Sequence, residues 1–89
     1  MALLDAREQF LAKLRGVGAQ GVVLNLAGDL VGFPRITTKR AAEVYGVTYP
    51  TANSAISKLV NLGILREITG SNYGRVFACD DVYDIIANA

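Results

Sequence analysis

The sequence predicts a mainly α-helical fold with a small β-hairpin, and three observations support this. Residues 36–65 have the pattern of two short helices joined by a tight turn. From residue 64 the spacing of apolar residues changes from about 3.6 to 2, which indicates strands. Gly70 and Gly74 then bracket a turn between two such strands. A hairpin placed directly after two helices of this kind is typical of a winged helix-turn-helix.

The composition excludes several classes of function. The chain has 89 residues, 52% of them hydrophobic, with one cysteine and no histidine. This length can bury one core without a metal or a disulfide. Without histidine the commonest general base and zinc ligand is missing, so we expect no enzyme activity, metal site or cofactor. No stretch has the pattern of a signal peptide or a membrane span, so we expect a cytoplasmic protein that does not enter membranes.

The first predicted helix is amphipathic and covers residues 3–15, where apolar side chains recur at helical spacing. Gly16 and Gly18 then end it. We assign residues 1–18 to a connector or dimerisation helix and residues 19–89 to the winged helix-turn-helix domain. Two interpretations of the apolar stripe of this helix remain equally open: packing against its own domain, or a functional role as a dimer seam or as a connecting helix from a larger protein.

The second predicted helix covers residues 19–30 and is apolar nearly all round, as a central helix is. Gly21 and Gly28 within it indicate close packing of a neighbouring element. Pro34 disfavours helix at Phe33, so the helix ends before it, and we expect Phe33 to fill the core. A short extended piece around residues 35–36 is a candidate for the first strand of a small sheet.

Two further helices follow, and each has local signals at its ends. Thr37 or Thr38 can cap the first, and Gly46 can take the positive φ of the turn after it. Thr48 can cap the second, and Gly63 can end it in the left-handed conformation. The residues expected to face inward are Ala41, Ala42, Val44, Tyr45, Val47, Ala52, Ala55, Ile56, Leu59 and Leu62.

The rest of the chain predicts the hairpin and one last helix. Residues 64–79 have the hairpin pattern, and Cys79 is expected to be buried on its second strand. Asp80 and Asp81 precede a helix over residues 82–88, and carboxylates stabilise the positive end of a helix. The apolar residues expected to dock that helix are Val82, Ile85 and Ile86.

Three stretches resemble a known family: GVTYPTA (46–52), LGILRE (62–67) and RVF (75–77). They are similar to the C-terminal winged-helix domain that follows the catalytic domain in many bacterial Fic-family proteins, which are AMP-transferases. The resemblance covers about residues 20–88. It implies a regulatory domain with a Fic catalytic domain upstream in a longer protein, or a stand-alone transcription regulator. The Fic active-site loop, His-Pro-Phe-x-x-Gly-Asn-Gly-Arg, does not occur in this sequence.

A winged helix binds duplex DNA by placing the exposed face of its second helix in the major groove. On that face the sequence has hydrogen-bonding side chains and Lys58 as its single charge. Phosphate contacts are expected from the start of the preceding helix and from the hairpin. The candidate DNA-binding residues are Thr37, Lys39, Arg40, Tyr49, Thr51, Ser54, Ser57, Lys58, Tyr73 and Arg75.

Two functions of different classes stay open. The first is a non-catalytic DNA-binding module, as a homodimer, because one copy offers only about five cations to phosphates. The second is a protein-interaction or dimerisation module that keeps the fold without binding DNA. Every candidate residue also has an ordinary role as a helix cap or as solvated surface. The prediction of function therefore rests on their shared location and not on any one of them.

Overall fold

The computed structural model describes residues 2–68 and 75–87, and this part of the chain is mainly helical with a small antiparallel sheet. The coarse fold prediction is thus confirmed, while the predicted turn at residues 70–74 lies outside the described residues. In chain order the elements are α1 (Ala2–Gly16), α2 (Val22–Asp29), β1 (Arg35–Thr37), α3 (Thr38–Tyr45), α4 (Tyr49–Asn61), β2 (Arg66–Glu67), β3 (Val76–Ala78) and α5 (Asp80–Ala87).

Helix α1 contributes directly to the hydrophobic core. Its buried side chains are Ala6, Phe10, Leu11 and Leu14, and the helix packs along α2 and against α5. Most of the apolar stripe is therefore covered by the chain's own helices, as the first of the two interpretations expects, while Leu4 stays 57% exposed. A role for residues 1–18 as a connector or a dimerisation helix stays a prediction.

Helix α2 begins three residues later than predicted. Gly21 is its N-cap with a φ of 83°, a backbone conformation that glycine adopts readily, so this glycine precedes the helix instead of lying inside it. Gly28 does lie inside and is buried, and a Cβ there would be only 3.3 Å from the Arg7 guanidinium. Close packing of a neighbour is thus confirmed at Gly28 and wrong at Gly21.

The prediction that Phe33 fills the core is wrong, because its side chain is 73% exposed. The amides of Gly32 and Phe33 both donate to the Asp29 carbonyl, at 3.0 Å each, which closes the end of α2 tightly. The chain then enters β1, and Ile36 is the residue of that strand that turns inward. Ile36 occupies the core at this point, and Phe33 stays outside it.

The caps of α3 and α4 are formed as predicted. The Thr37 hydroxyl accepts the Arg40 amide at 3.1 Å, and the Thr48 hydroxyl accepts the Thr51 amide at 3.3 Å. Between the two helices Gly46 has a φ of 63°, which is the left-handed conformation. Because every one of these signals acts within four residues, sequence alone is enough to find it.

Helix α4 packs its buried stripe on α2 and α3. The buried residues of α4 are Ala52, Ala55, Ile56 and Leu59. The inward face of α3 is centred near Ala41 and Tyr45. Val44 lies roughly 80° away from that centre at 100° per residue. Its side chain is 54% exposed, so its predicted burial is wrong. The prediction that Ile86 docks α5 is also wrong, because Ile86 is 51% exposed, whereas Val82 is buried and Ile85 is partly buried.

The sheet has the strand order β1-β3-β2, so the last strand in the chain is the central one. Ile36 of β1 and Glu67 of β2 are both in register with Phe77 of β3. Strand β2 is shorter than predicted, because Ile64 and Leu65 close the end of α4. Their amides donate to the Leu59 carbonyl at 2.9 and 3.2 Å.

Candidate nucleic-acid interface

Helix α4 carries half of the residues predicted to contact DNA. Thr51, Ser54, Ser57 and Lys58 are exposed on the side opposite the buried stripe, and Ser54 is three or four residues from each of the other three. Such spacing places side chains above one another on one face of a helix. Tyr49, which is 57% exposed, begins the helix. At 100° per residue Tyr49 lies on another side of the helix, about 160° from Thr51, so the structure brings the other four residues together on one surface, which we call the α4 face.

The hydroxyl of Thr51 is held within the cap of α4. The Thr48 hydroxyl donates to it at 3.0 Å while accepting the Thr51 amide. The Thr51 hydroxyl keeps its own proton, so it can still donate to an acceptor outside the helix. The cap thus orients this side chain without using up its donor.

Two cations lie in the first turn of α3. Lys39 and Arg40 are exposed, and Thr37 before them is the N-cap. The guanidinium of Arg40 is 3.9 Å from Glu43, a long contact between two exposed side chains that holds the charge only weakly. Lys39 and Lys58 form no ion pair with any other residue of the described ranges.

Arg75, the candidate DNA contact directly before β3, already forms an ion pair within the domain. Its Nη2 and Nε donate to the two carboxylate oxygens of Glu67 at 2.7 and 2.9 Å. Its guanidinium also lies 5.4 Å from the centre of the Phe77 ring. The hydrogen bond from Arg75 lowers the pKa of Glu67, so the carboxylate stays charged and neutralises the arginine.

Arg66 on β2 is paired in the same way. Its Nε and Nη2 donate to the carboxylate of Asp80, the first residue of α5, at 2.8 and 3.2 Å. This hydrogen bonding lowers the pKa of Asp80. Within the described part of the chain, three of the cations predicted to contact phosphates therefore lack a close carboxylate: Lys39, Arg40 and Lys58. Tyr73 lies outside the described residues.

Sequence reasoning also missed a contact that fixes where α3 lies. The Tyr45 hydroxyl donates to Asp29 at 2.6 Å, which joins the end of α3 to the end of α2. Burial, and then this hydrogen bond to a carboxylate, raise the pKa of Tyr45. The two residues are 16 positions apart, and no local pattern marks them as partners.

Cys79 is buried, as predicted, and desolvation raises the pKa of its thiol. A raised thiol pKa disfavours the reactive thiolate. Within the described residues no group of three or more His, Cys, Asp or Glu side chains could hold a metal ion. None of the helices placed by the structure has the length and apolar character needed to cross a membrane.

Comparison of the chain with models of known protein families and with curated protein sequences gives no match. The similarity to the C-terminal domain of Fic proteins stays a prediction, carried by residues 46–52, 62–67 and 75–77.

Proposed function

We propose that this chain is a winged helix-turn-helix that binds duplex DNA, without catalysing a reaction, by inserting α4 into the major groove. The observation that carries the proposal is the α4 face, where polar side chains and Lys58 stand opposite a fully buried stripe. The α3 and α4 helices pack on each other across the short turn at residues 46–48. The β2–β3 pair follows α4, where the wing of such a domain is found, and so supports the same proposal.

The side chains of the α4 face suit base edges in the major groove. Hydroxyls of Thr51, Ser54 and Ser57 can donate to or accept from any base, and they are short enough for the helix to approach closely. Lys58 supplies a charge for a phosphate or a guanine. Lys39 and Arg40 at the start of α3 are placed to contact the backbone, which positions the helix without reading sequence.

The small number of cations favours a homodimer. Three phosphate contacts give a salt slope of about −2.7, which is a weak footprint for one copy. Two copies would double it and would bind half-sites separated by one helical turn or a multiple of it. The resemblance to Fic proteins supports a cytoplasmic setting, as the regulatory domain of a Fic-type AMP-transferase or as a free-standing transcription regulator.

Titration of a labelled duplex at two salt concentrations tests the proposal. Between about 50 and about 200 mM salt, we expect the affinity of one copy to fall about 40-fold for three phosphate contacts. Lys58→Gln should make the salt slope shallower by about 0.9. Lys13→Gln removes an equal charge from the exposed side of α1 and should leave the slope unchanged. A folded protein that shows no binding at the lower salt concentration would contradict DNA binding.

A second candidate is a protein-interaction module with the same fold. Two observations favour it: the bidentate pairing of Arg66 and Arg75 inside the domain, and the exposure of Phe33 and Val44 on one side of it. This alternative predicts self-association or partner binding that is insensitive to alanine substitutions at Lys39, Arg40 and Lys58. Duplex titration of the wild type and of that triple variant separates the two candidates, because only the DNA-binding module should bind the duplex and lose affinity in the variant.

A further inference from the structure

A cavity of about 310 Å³ lies between the end of α2, β1 and α3. Its inner wall is formed by Leu26, Leu30 and Ile36, which are all buried core residues. Phe33 and Val44 also line it, and both are largely exposed. The cavity therefore has an apolar floor and two apolar side chains at its mouth. Its size is at the lower end of the range of small-molecule sites, which is roughly 300–1,000 Å³.

Charged groups line the same cavity, and positive charge prevails. Arg35 and Arg40 both contribute to its lining. Arg35 has no ion pair with another residue that the structure describes, and Arg40 has only the 3.9 Å contact with Glu43. The one carboxylate in the lining, Asp29, already accepts the Tyr45 hydroxyl at 2.6 Å. Two arginines thus line an apolar space together with a single, already hydrogen-bonded carboxylate.

We infer that this cavity binds a small organic anion, a carboxylate on an aryl or branched alkyl body. The body would fill the space against Leu26, Leu30 and Ile36, and Phe33 would cover it. The carboxylate would lie at Arg35 and Arg40, since a guanidinium binds carboxylates with two parallel hydrogen bonds. A neutral apolar molecule would leave both arginines unused, and an organic cation would meet two like charges.

Arg40 belongs both to this cavity and to the proposed phosphate contacts. A bound carboxylate would compete with DNA phosphate for the same guanidinium, so the anion would weaken DNA binding. This second part rests on the proposed function. The anion site itself does not, because its evidence is the cavity and its arginines.

A titration of the isotopically labelled full chain, followed by NMR without DNA, tests the anion site. The probe is phenylacetate, and its neutral isostere phenylacetamide is the comparison. We expect saturable shifts of backbone amides confined to the end of α2, β1 and α3, with phenylacetamide binding at least tenfold more weakly than phenylacetate. No saturation, equal affinity for the two probes, or shifts confined to other surfaces would overturn the inference.

Val44→Asp sharpens the test, because it places a negative charge at the mouth on a side chain that is already exposed. We expect it to weaken phenylacetate binding at least tenfold. Ile86→Asp makes the same change at an exposed position of α5 that does not line the cavity, and should bind as the wild type does. Wild-type affinity in Val44→Asp would overturn the site. The site would also be overturned if neither probe bound and Val44→Asp lost self-association. This face would then be a contact between protein molecules.

The regulatory part is tested by repeating the duplex titration with saturating phenylacetate. We expect a several-fold loss of DNA affinity in the wild type and none in Val44→Asp. Equal DNA affinity with and without the probe overturns the coupling. If the probe binds and the chain binds no DNA at all, the proposed function fails while the anion site stands, so the two failures can be told apart.

Discussion

Gly46 is the residue that sets the turn between α3 and α4. It holds a φ of 63°, and the next amide, that of Val47, donates to the Ala42 carbonyl at 3.1 Å. A Cβ at Gly46 would have no atom within 4 Å, so nothing but the backbone conformation opposes a side chain there. The crossing of the two helices thus depends on a conformation that other residues adopt only at a cost.

Gly46→Ala is expected to lower the free energy of unfolding by about 1 kcal/mol, since alanine resists the left-handed conformation. Gly16→Ala is the matched control. Gly16 also has open space around its Cβ position but no positive φ, and it lies in the last turn of α1. Alanine there should leave stability unchanged or raise it, by up to about 1 kcal/mol. Urea unfolding of both variants measures the difference, and equal losses would show that φ is not the cause.

The two arginine pairs show how elements share charge across the sheet. Arg75, directly before β3, pairs with Glu67 on β2. Arg66 on β2 pairs with Asp80 on α5. Each arginine lowers the pKa of its carboxylate partner. A lowered folded-state pKa gives stability that is present above the unfolded carboxyl's pKa and is lost as the pH falls through the folded value. At neutral pH both carboxylates are therefore charged and both ion pairs are formed. Acid protonates the carboxylates and breaks the pairs.

Glu67→Gln is expected to release Arg75 near Tyr49, the first residue of α4. If DNA is bound there, the freed guanidinium should tighten binding and steepen the salt slope by about 0.9. Glu8→Gln changes the net charge equally on the exposed side of α1 and is the control. Duplex titrations at two salt concentrations give both slopes. An equal effect of the two substitutions would mean that net charge alone, and not Arg75, is responsible.

Which elements could be predicted follows from how far apart their signals lie. The caps at Thr37 and Thr48 depend on neighbours three residues away; the sequence places the cap at Thr48 and restricts the other to Thr37 or Thr38. The pairs Arg66–Asp80 and Tyr45–Asp29 join residues 14 and 16 positions apart, and a pattern along the chain cannot identify them. The same limit applies to the cavity, since three elements must come together to form it.

The sequence predicts which side chains of the candidate site are exposed, but not which of its charged side chains are already paired within the domain. The polar residues of α4 are exposed because the 3.6 period fixes which side is buried, and that period is visible in the sequence. Arg75 was predicted as a phosphate contact, and the strand register that brings it to Glu67 could not be predicted from its neighbours. Whether the α4 face contacts DNA stays a prediction.

At the scale of the whole molecule, α1 is an integral part of the core. Leu14 is fully buried, whereas Leu4 on the same helix is 57% exposed. Helix α1 packs on both α2 and α5, so it links the beginning of the described chain to its last helix. Stability of the domain should therefore depend on α1 whatever else this helix does.

Leu14→Ala is expected to lower the free energy of unfolding by about 2–5 kcal/mol, because it leaves a cavity in the core. Leu4→Ala removes the same atoms from an exposed position of the same helix and should cost less than about 0.5 kcal/mol. Chemical denaturation followed by circular dichroism measures both. A small loss for Leu14→Ala would mean that α1 is only loosely attached and that residues 19–89 are stable without it.

The central position of β3 has a consequence for how the protein is made. Chains are synthesised from the N-terminus, so β1 and β2 leave the ribosome before the strand that both of them pair with. A nascent chain that ends before residue 76 can form α1 to α4 but lacks the partner for either strand. Ile36 then has no Phe77 opposite it. The sheet assembles only after residue 78 has emerged, and until then the growing chain exposes two unpaired strands to chaperones and proteases.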